Sequence, residues 1–151
     1  MTVRVQAEDF DIGAEIAALT AGRTDIGALA TFTGLVRELN EGAGVAAMTL
    51  EHYPGMTEKQ LARMEAEARR RWPLQDCLIV HRYGPLYPGD TIVLVACAAE
   101  HRHAAFDACQ FLMDYLKTDA PFWKREETRA GARWVDSRDT DAAARRRWEH
   151  G

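Results

Sequence analysis

Two lysines stand seven residues apart in a chain that otherwise takes its positive charge from arginine. Of its 19 basic residues only Lys59, Lys117 and Lys124 are lysines. The last two bracket Thr118-Asp119-Ala120-Pro121-Phe122-Trp123. Arginine keeps its proton at any ordinary pH, whereas a desolvated lysine gives it up and serves as base or nucleophile. The same pair also suits a solvated helix end and an edge strand, where the lysines do no chemistry. Spacing alone leaves both readings open.

A second cluster, His101-Arg102-His103, precedes the strongest helical pattern of the chain. Its better reading is anion capture by Arg102, His101 and the free N–H groups of a helix N-terminus. A metal site is poorly supported, because no carboxylate or Cys pattern joins the two histidines. Arg37 ends a predicted strand before a glycine-bearing loop, a place suited to a phosphate-binding guanidinium or to an exposed strand-end charge. His52, in Glu51-His52-Tyr53, reads as a surface or packing residue. The sequence has no P-loop, dinucleotide fingerprint, nucleophile elbow or zinc-finger spacing.

These residues need elements to hold them. Thr2–Gln6 alternates like a short strand, and Asp9 or Asp11 caps a helix through Leu19. Gly27–Arg37 and Val45–Tyr53 read as strands of a long hairpin across the loop Glu38–Gly44. Thr57-x-x-Gln60 reads as a capping box for a helix closed by Pro73. Leu78–Tyr83 and Thr91–Ala99 are strands joined by a turn-rich loop, residues 84–90. Ala104–Lys117 is the clearest helix, with Ala105, Phe106, Ala108, Cys109, Leu112, Met113 and Leu116 as its apolar stripe. Pro121 stops helical geometry and opens a strand, Phe122–Thr128, with Ala132–Val135 as hairpin partner. On that strand Lys124 shares a face with Phe122 and Glu126, while Trp123 turns towards the core.

The elements predict an α+β fold: a mostly antiparallel sheet, about three helices packed on it, and a small hairpin-containing subdomain. One domain over residues 1–151 accounts for the length. The helix–Pro–strand turn lets Lys117 and Lys124 converge, and two amines there would disfavour each other's protonation. His103 and Lys117 lie 14 positions apart, roughly 21 Å along one helix. One small substrate cannot span that, so the two helix ends serve different sites or a second protomer supplies His101 and Arg102.

With 47% hydrophobic and 28% charged residues and a net charge of −4, the composition is that of an ordinary globular protein and speaks against a general nucleic-acid binder. The runs Arg69–Arg71 and Arg145–Arg147 read as solvated helix faces. Cys77, Cys97 and Cys109 form no CxxC pair and read as small buried hydrophobes of a reducing compartment. No signal peptide or membrane-spanning run is evident, so the expected location is the cytoplasm.

Taken together, the segments resemble the large, catalytic subunit of molybdopterin synthase. The matching stretches are Gly27-Ala28, Phe32-x-Gly34-x-Val36-Arg37 and Leu50-Glu51-His52-Tyr53-x-x-Met56. They continue through His81-Arg82-x-Gly84-x-Leu86-x-x-Gly89-Asp90 and His101-Arg102-x-x-Ala105-Phe106-x-Ala108-Cys109. The last is Asp114-x-x-Lys117-x-x-Ala120-Pro121-x-Trp123-Lys124-x-Glu126. Each alone is weak; their order and spacing, over nearly the whole chain, are specific.

The resemblance implies conversion of cyclic pyranopterin monophosphate to molybdopterin by transfer of two sulfurs. The sulfur arrives as the C-terminal Gly-Gly thiocarboxylate of a small ubiquitin-like carrier subunit. It also implies a central homodimer with a carrier at each end, a heterotetramer, and no metal or other cofactor. Lys117 and Lys124 match the family's essential lysines. Arg37, His101 and Arg102 match positions that bind the anionic substrate. Leu35, Val36, Arg125 and Glu126 match residues lining the site, and Arg138 matches a tail arginine that reaches the neighbouring protomer. The competing reading is a non-catalytic module that binds the extended C-terminal tail of a partner.

Overall fold

The chain runs β1 (Val3–Gln6), α1 (Ile12–Thr20), β2 (Ala28–Leu35), β3 (Leu39–Asn40), β4 (Ala43–His52), α2 (Met56–Arg71), β5 (Leu74–Arg82), β6 (Gly84–Leu86), β7 (Thr91–Ala99), α3 (Arg102–Leu116), β8 (Phe122–Thr128) and β9 (Gly131–Val135). This computed structural model describes residues 3–40, 43–118, 120–128, 131–135 and 145–149, with backbone alone at 39–40, 43–47, 123–128 and 131–135.

The first sheet has the order β1-β5-β7-β2, with β1 parallel to β5 and the other pairs antiparallel. Strand side chains alternate between faces, so β5 and β7 supply two cores at once. Cys77, Ile79, Val95 and Cys97 face α2 and α3, where Leu61, Met64, Phe111 and Leu112 meet them. Leu78, Val80, Leu94 and Ala96 pack on the other side against Phe10, Ile12 and Leu19 of the α1 region. Each wholly buried Leu, Ile or Phe contributes about 1.5–3 kcal/mol relative to exposure. This packing makes the first sheet the rigid body of the molecule.

The second sheet has the order β3-β4-β8-β9, with β6 also paired to β4. Its core is small: Val36, Met48, Leu50 and Leu86, with Ile92 and Phe122 packed against them. Phe122 packs on the main core as well. The architecture is the mostly antiparallel α+β fold with a hairpin-bearing subdomain that the sequence predicts.

Several local expectations are corrected. The long hairpin does not form: β2 pairs with β7, and β4 pairs with β8, leaving only the short β3–β4 hairpin in the loop between them. The turn-rich loop before β7 contains a strand, because Gly84–Leu86 completes the edge of β4. The capping box belongs to Glu58, whose carboxylate accepts the Gly55 N–H at 2.6 Å. Thr57 instead points inward, fully buried, and gives its hydroxyl hydrogen to the Tyr53 carbonyl. Phe106 leaves the apolar stripe and is 64% exposed, while Phe111 takes the interior position.

The arginine runs are not simply solvated. Arg71 lies over the Phe111 ring at 4.8 Å and donates to the Trp148 carbonyl at 2.9 Å. Arg145 lies over Tyr115. The second run therefore docks onto α3. Asp11 is the α1 cap, accepting the Ala14 N–H at 2.9 Å, and the three cysteines are free and buried as expected.

Candidate functional site

Lys117 is the C-cap of α3, with helical φ and ψ of −72° and −19°. Its N–H donates to Met113 O at 3.1 Å, and the Thr118 hydroxyl donates to Asp114 O at 3.0 Å. These bonds satisfy two of the carbonyls that every helix end leaves open. The chain then turns at Ala120 and Pro121, and the Phe122 N–H donates to Ala120 O at 2.8 Å. Strand β8 starts there, so five residues, 117–121, lie between the last helical residue and the first of the strand.

In the β4–β8 register Phe122 is opposite His52, Lys124 opposite Leu50, Arg125 opposite Thr49 and Glu126 opposite Met48. Directly paired positions share a sheet face. Position 124 therefore lies on the face that carries buried Leu50. The side chains of Trp123, Lys124, Arg125 and Glu126 fall outside the described residues, as does Arg138 altogether.

Val36, next to Arg37, ties the end of β2 to the same small core. The Val36 N–H donates to Asp90 O at 2.9 Å, and its carbonyl accepts the Gly89 N–H at 2.8 Å. Gly89 has φ of +93°, a region that only glycine enters without strain. The Val36 side chain packs beside Leu50, the cross-strand partner of position 124. The clasp thus joins the end of β2 to the small core, leaving Leu35 and Arg37 exposed at its rim.

Sequence reasoning missed an aromatic and imidazole cluster around Phe122. The Phe122 ring stacks on His81 with centroids 3.8 Å apart and planes at 16°. His52 lies 6.1 Å away and leans on Tyr83 at 4.3 Å. Asp114 is another buried polar group of interest: its carboxylate accepts from the Trp148 indole and from Gln110 at 2.9 Å, and faces Arg147 at 3.4 Å. All of these positions except Trp148, Gln110 and Arg147 read as framework in the sequence, where a histidine or aspartate inside an apolar pattern was the only clue.

The structure does not bring every candidate together. His101 caps the far end of α3 with no side-chain hydrogen bond, and 81% of its side chain is exposed. Arg102 and His103 are exposed beside it. The helix is continuous from Arg102 to Leu116. At 1.5 Å per residue it separates this end from Lys117 by roughly 21 Å. Within one chain the basic cluster and Lys117 are two separate places.

Among the described residues the Cys97 thiol and one surface pocket are already engaged. Hydrogen bonding to Cys109 and Cys77, together with burial, pushes the Cys97 thiol up and keeps it protonated. The pocket lined by Arg70, Arg71, Trp72 and Trp148 holds guanidiniums that already pair with Glu67.

A family model described as MoaE protein matches residues 5–119. The chain belongs to the MoaE family. Lys117 is inside that match, and Lys124 lies just past it. Curated MoaE relatives extend the similarity: a protein of Ralstonia nicotianae is 62% identical over 97% of this chain and 84% of its own length. One of Pseudomonas aeruginosa is 57% identical over 99% of each chain. Both are named molybdopterin synthase catalytic subunit.

Solved structures agree. The molybdopterin biosynthesis MoaE protein from Burkholderia ambifaria has a TM-score of 0.83 at 60% identity, covering 97% of both chains. Molybdopterin synthase from Staphylococcus aureus has 0.80 at 32% identity, over 87% of this chain and 95% of its own.

Proposed function

We propose that this MoaE chain, as one domain over residues 1–151, is the catalytic subunit of a molybdopterin synthase and transfers sulfur at a site built on Lys117 and Lys124. The observation that supports the reading is the Pro121 turn: the end of α3 packs on the main core, β8 pairs with β4 over the small core, and Phe122 between the two lysines packs on both. A bare tail-binding module has no need for two lysines at such a turn.

In this reading the carrier's C-terminal thiocarboxylate enters beside Leu35 and Val36. Its sulfur attacks a carbon of the cyclic pyranopterin monophosphate, and the new C–S bond forms as a C–O bond of that carbon breaks, its oxygen leaving on the phosphate or as water. Water then cleaves the acyl–sulfur bond, leaving a carboxylate on the carrier and the sulfur on the pterin. A second carrier repeats the step to complete the dithiolene. Lys117 sits at the transfer centre, and Lys124 supports it by proton transfer or charge. Arg37 holds the phosphate, and Arg125 and Glu126 line the site.

His101 and Arg102 enter from a second copy of the chain, because α3 holds them too far from their own Lys117. Arg138 belongs to the same cross-chain contribution. A homodimer with a carrier at each end follows, and Phe106, exposed one turn beyond Arg102, is a natural apolar contact for it. Among the described residues no helix is long and apolar enough to cross a membrane, and we place the reaction in the cytoplasm.

The test is molybdopterin formation from pyranopterin and thiocarboxylated carrier. Lys117→Ala is expected to lower turnover about 10²-fold or more, the usual scale for a group that moves a proton or stabilises charge. Lys117→Arg should stay low too. Near-normal turnover in Lys117→Arg would mean that charge alone suffices. No dithiolene from the parent protein would leave the tail-binding reading.

A further inference from the structure

Phe122 stands five residues after Lys117 and two before Lys124, and it is the side chain between them that packs on both hydrophobic cores. Whatever fixes its ring fixes the relation of the two lysine-bearing segments. The ring is fixed from β5. His81, 8% exposed, lies on an interior strand, held in register by Val5 of β1 and Val93 of β7. Its imidazole meets the Phe122 ring nearly face to face, at 3.8 Å.

The His81 ring is itself held in one orientation. Its Nδ1 lies 2.8 Å from the Arg82 carbonyl, and a carbonyl only accepts, so Nδ1 carries the hydrogen. His52, with its ring centroid 6.1 Å from that of Phe122, is held in a parallel way. The Thr57 hydroxyl gives its hydrogen to Tyr53 O at 2.9 Å, so towards His52 Nδ1, 3.3 Å away, it can only accept. An aliphatic side chain at position 81 would fill the volume without setting the plane of the ring against it. A flat ring on an interior strand sets both, and the bond to the Arg82 carbonyl steadies the imidazole there.

We propose that His81, acting through the ring of Phe122, is a positioning residue that sets the placement of Lys117 relative to Lys124. The inference rests on the two-lysine reading of the site. It needs no contact between His81 and substrate: reacting groups lose up to about 10²-fold in rate for a displacement near 1 Å.

The experiment measures turnover with thiocarboxylated carrier, carrier affinity and thermal stability for His81→Ala, His81→Phe and Phe122→Leu. His81→Ala and Phe122→Leu should each lower kcat about tenfold, with carrier Kd changed less than about twofold. His81→Phe, which keeps a flat ring in place, should return kcat to within about threefold of the parent. A folded His81→Ala or Phe122→Leu with parental kcat overturns the proposal. So does a kcat loss that His81→Phe fails to rescue while restoring stability. If His81→Ala does not fold, Phe122→Leu decides alone. Lys117→Ala and Lys124→Ala run in parallel separate the two readings. Parental turnover in both sinks the lysine site and this inference together; loss in both, with parental turnover in folded His81→Ala and Phe122→Leu, sinks the inference alone.

Discussion

The two ends of α3 are built in opposite ways. At Lys117, itself exposed, the helix end is braced by its own chain: the Thr118 hydroxyl closes the last turn, buried Asp114 holds Trp148 and Arg147, and Phe122 is seated against His81. At His101 the helix starts bare. It has no side-chain cap and no acidic residue in its first turn, and the Glu100 carboxylate just before it lies 3.6 Å from the His101 ring. One end is braced and the other open, and α3 is too long for both to serve one small ligand in one chain.

The sharpest way to break this comparison is a mixed dimer. Lys117→Ala and Arg102→Ala homodimers should each lose about 10²-fold in turnover. Heterodimers of the two chains carry one site with both defects and one with neither. In a symmetric dimer they should recover about half the parental turnover. Recovery no higher than the homodimers would mean that the open end of α3 serves its own chain or no site at all.

A smaller effect probes how the open end is held. Gly27, just before β2, donates its N–H to Ala99 O at 3.0 Å, beside the turn that leads into His101. A Cβ on Gly27 would overlap the Glu100 carbonyl oxygen and come 3.2 Å from its carbon, so the strand or the turn must move. Gly27→Ala is therefore expected to cost about 1–3 kcal/mol, as overpacking does. For a chain of this length that lowers Tm by about 2–4 °C per kcal/mol. Because the displaced turn carries His101 and Arg102, KM for the pterin should rise while carrier affinity stays. An unchanged Tm would show that the turn yields freely and that the close approach holds nothing.

The same contrast explains what could be read in the sequence. Amphipathic α3 was legible because period and burial coincide there, and β5 and β7 as apolar runs buried on both faces, although β5 begins at Leu74 and not at Leu78. The β8–β9 hairpin and the Pro121 stop were legible from local chemistry. The partner of β4 was not: a strand shows which of its faces is apolar, and says nothing of which distant strand completes it. Phe106 and Phe111 are both apolar and five apart, and only tertiary packing decides which is interior. Lys117, Lys124, Arg37, His101 and Arg102 are candidates by residue type, spacing and resemblance. His81 and His52 were passed over as site residues, since their importance lies in what stacks on them from β8.

The smallest expected effect lies behind the braced end. Glu67 of α2 is held down to about 2, from an ordinary 4.5, by hydrogen bonds from Arg70 and Arg71. Arg71 in turn braces Phe111 and the Trp148 carbonyl on the Lys117 half of α3. The folded state favours the charged carboxylate, so its contribution is present above about pH 4.5 and fades as pH falls towards 2. With more than a third of the side chain in solvent, screening limits the contribution to about 0.2–1 kcal/mol. Glu67→Gln should therefore lower Tm by at most about 4 °C at pH 7, a difference that shrinks as the parent is titrated below pH 4.5. Turnover at pH 7 should hardly change, because Asp114 and Phe122 secure the same helix end independently. A large loss of kcat with little loss of Tm would reverse the comparison: the braced end would then depend on one surface ion pair, and would be the delicate one.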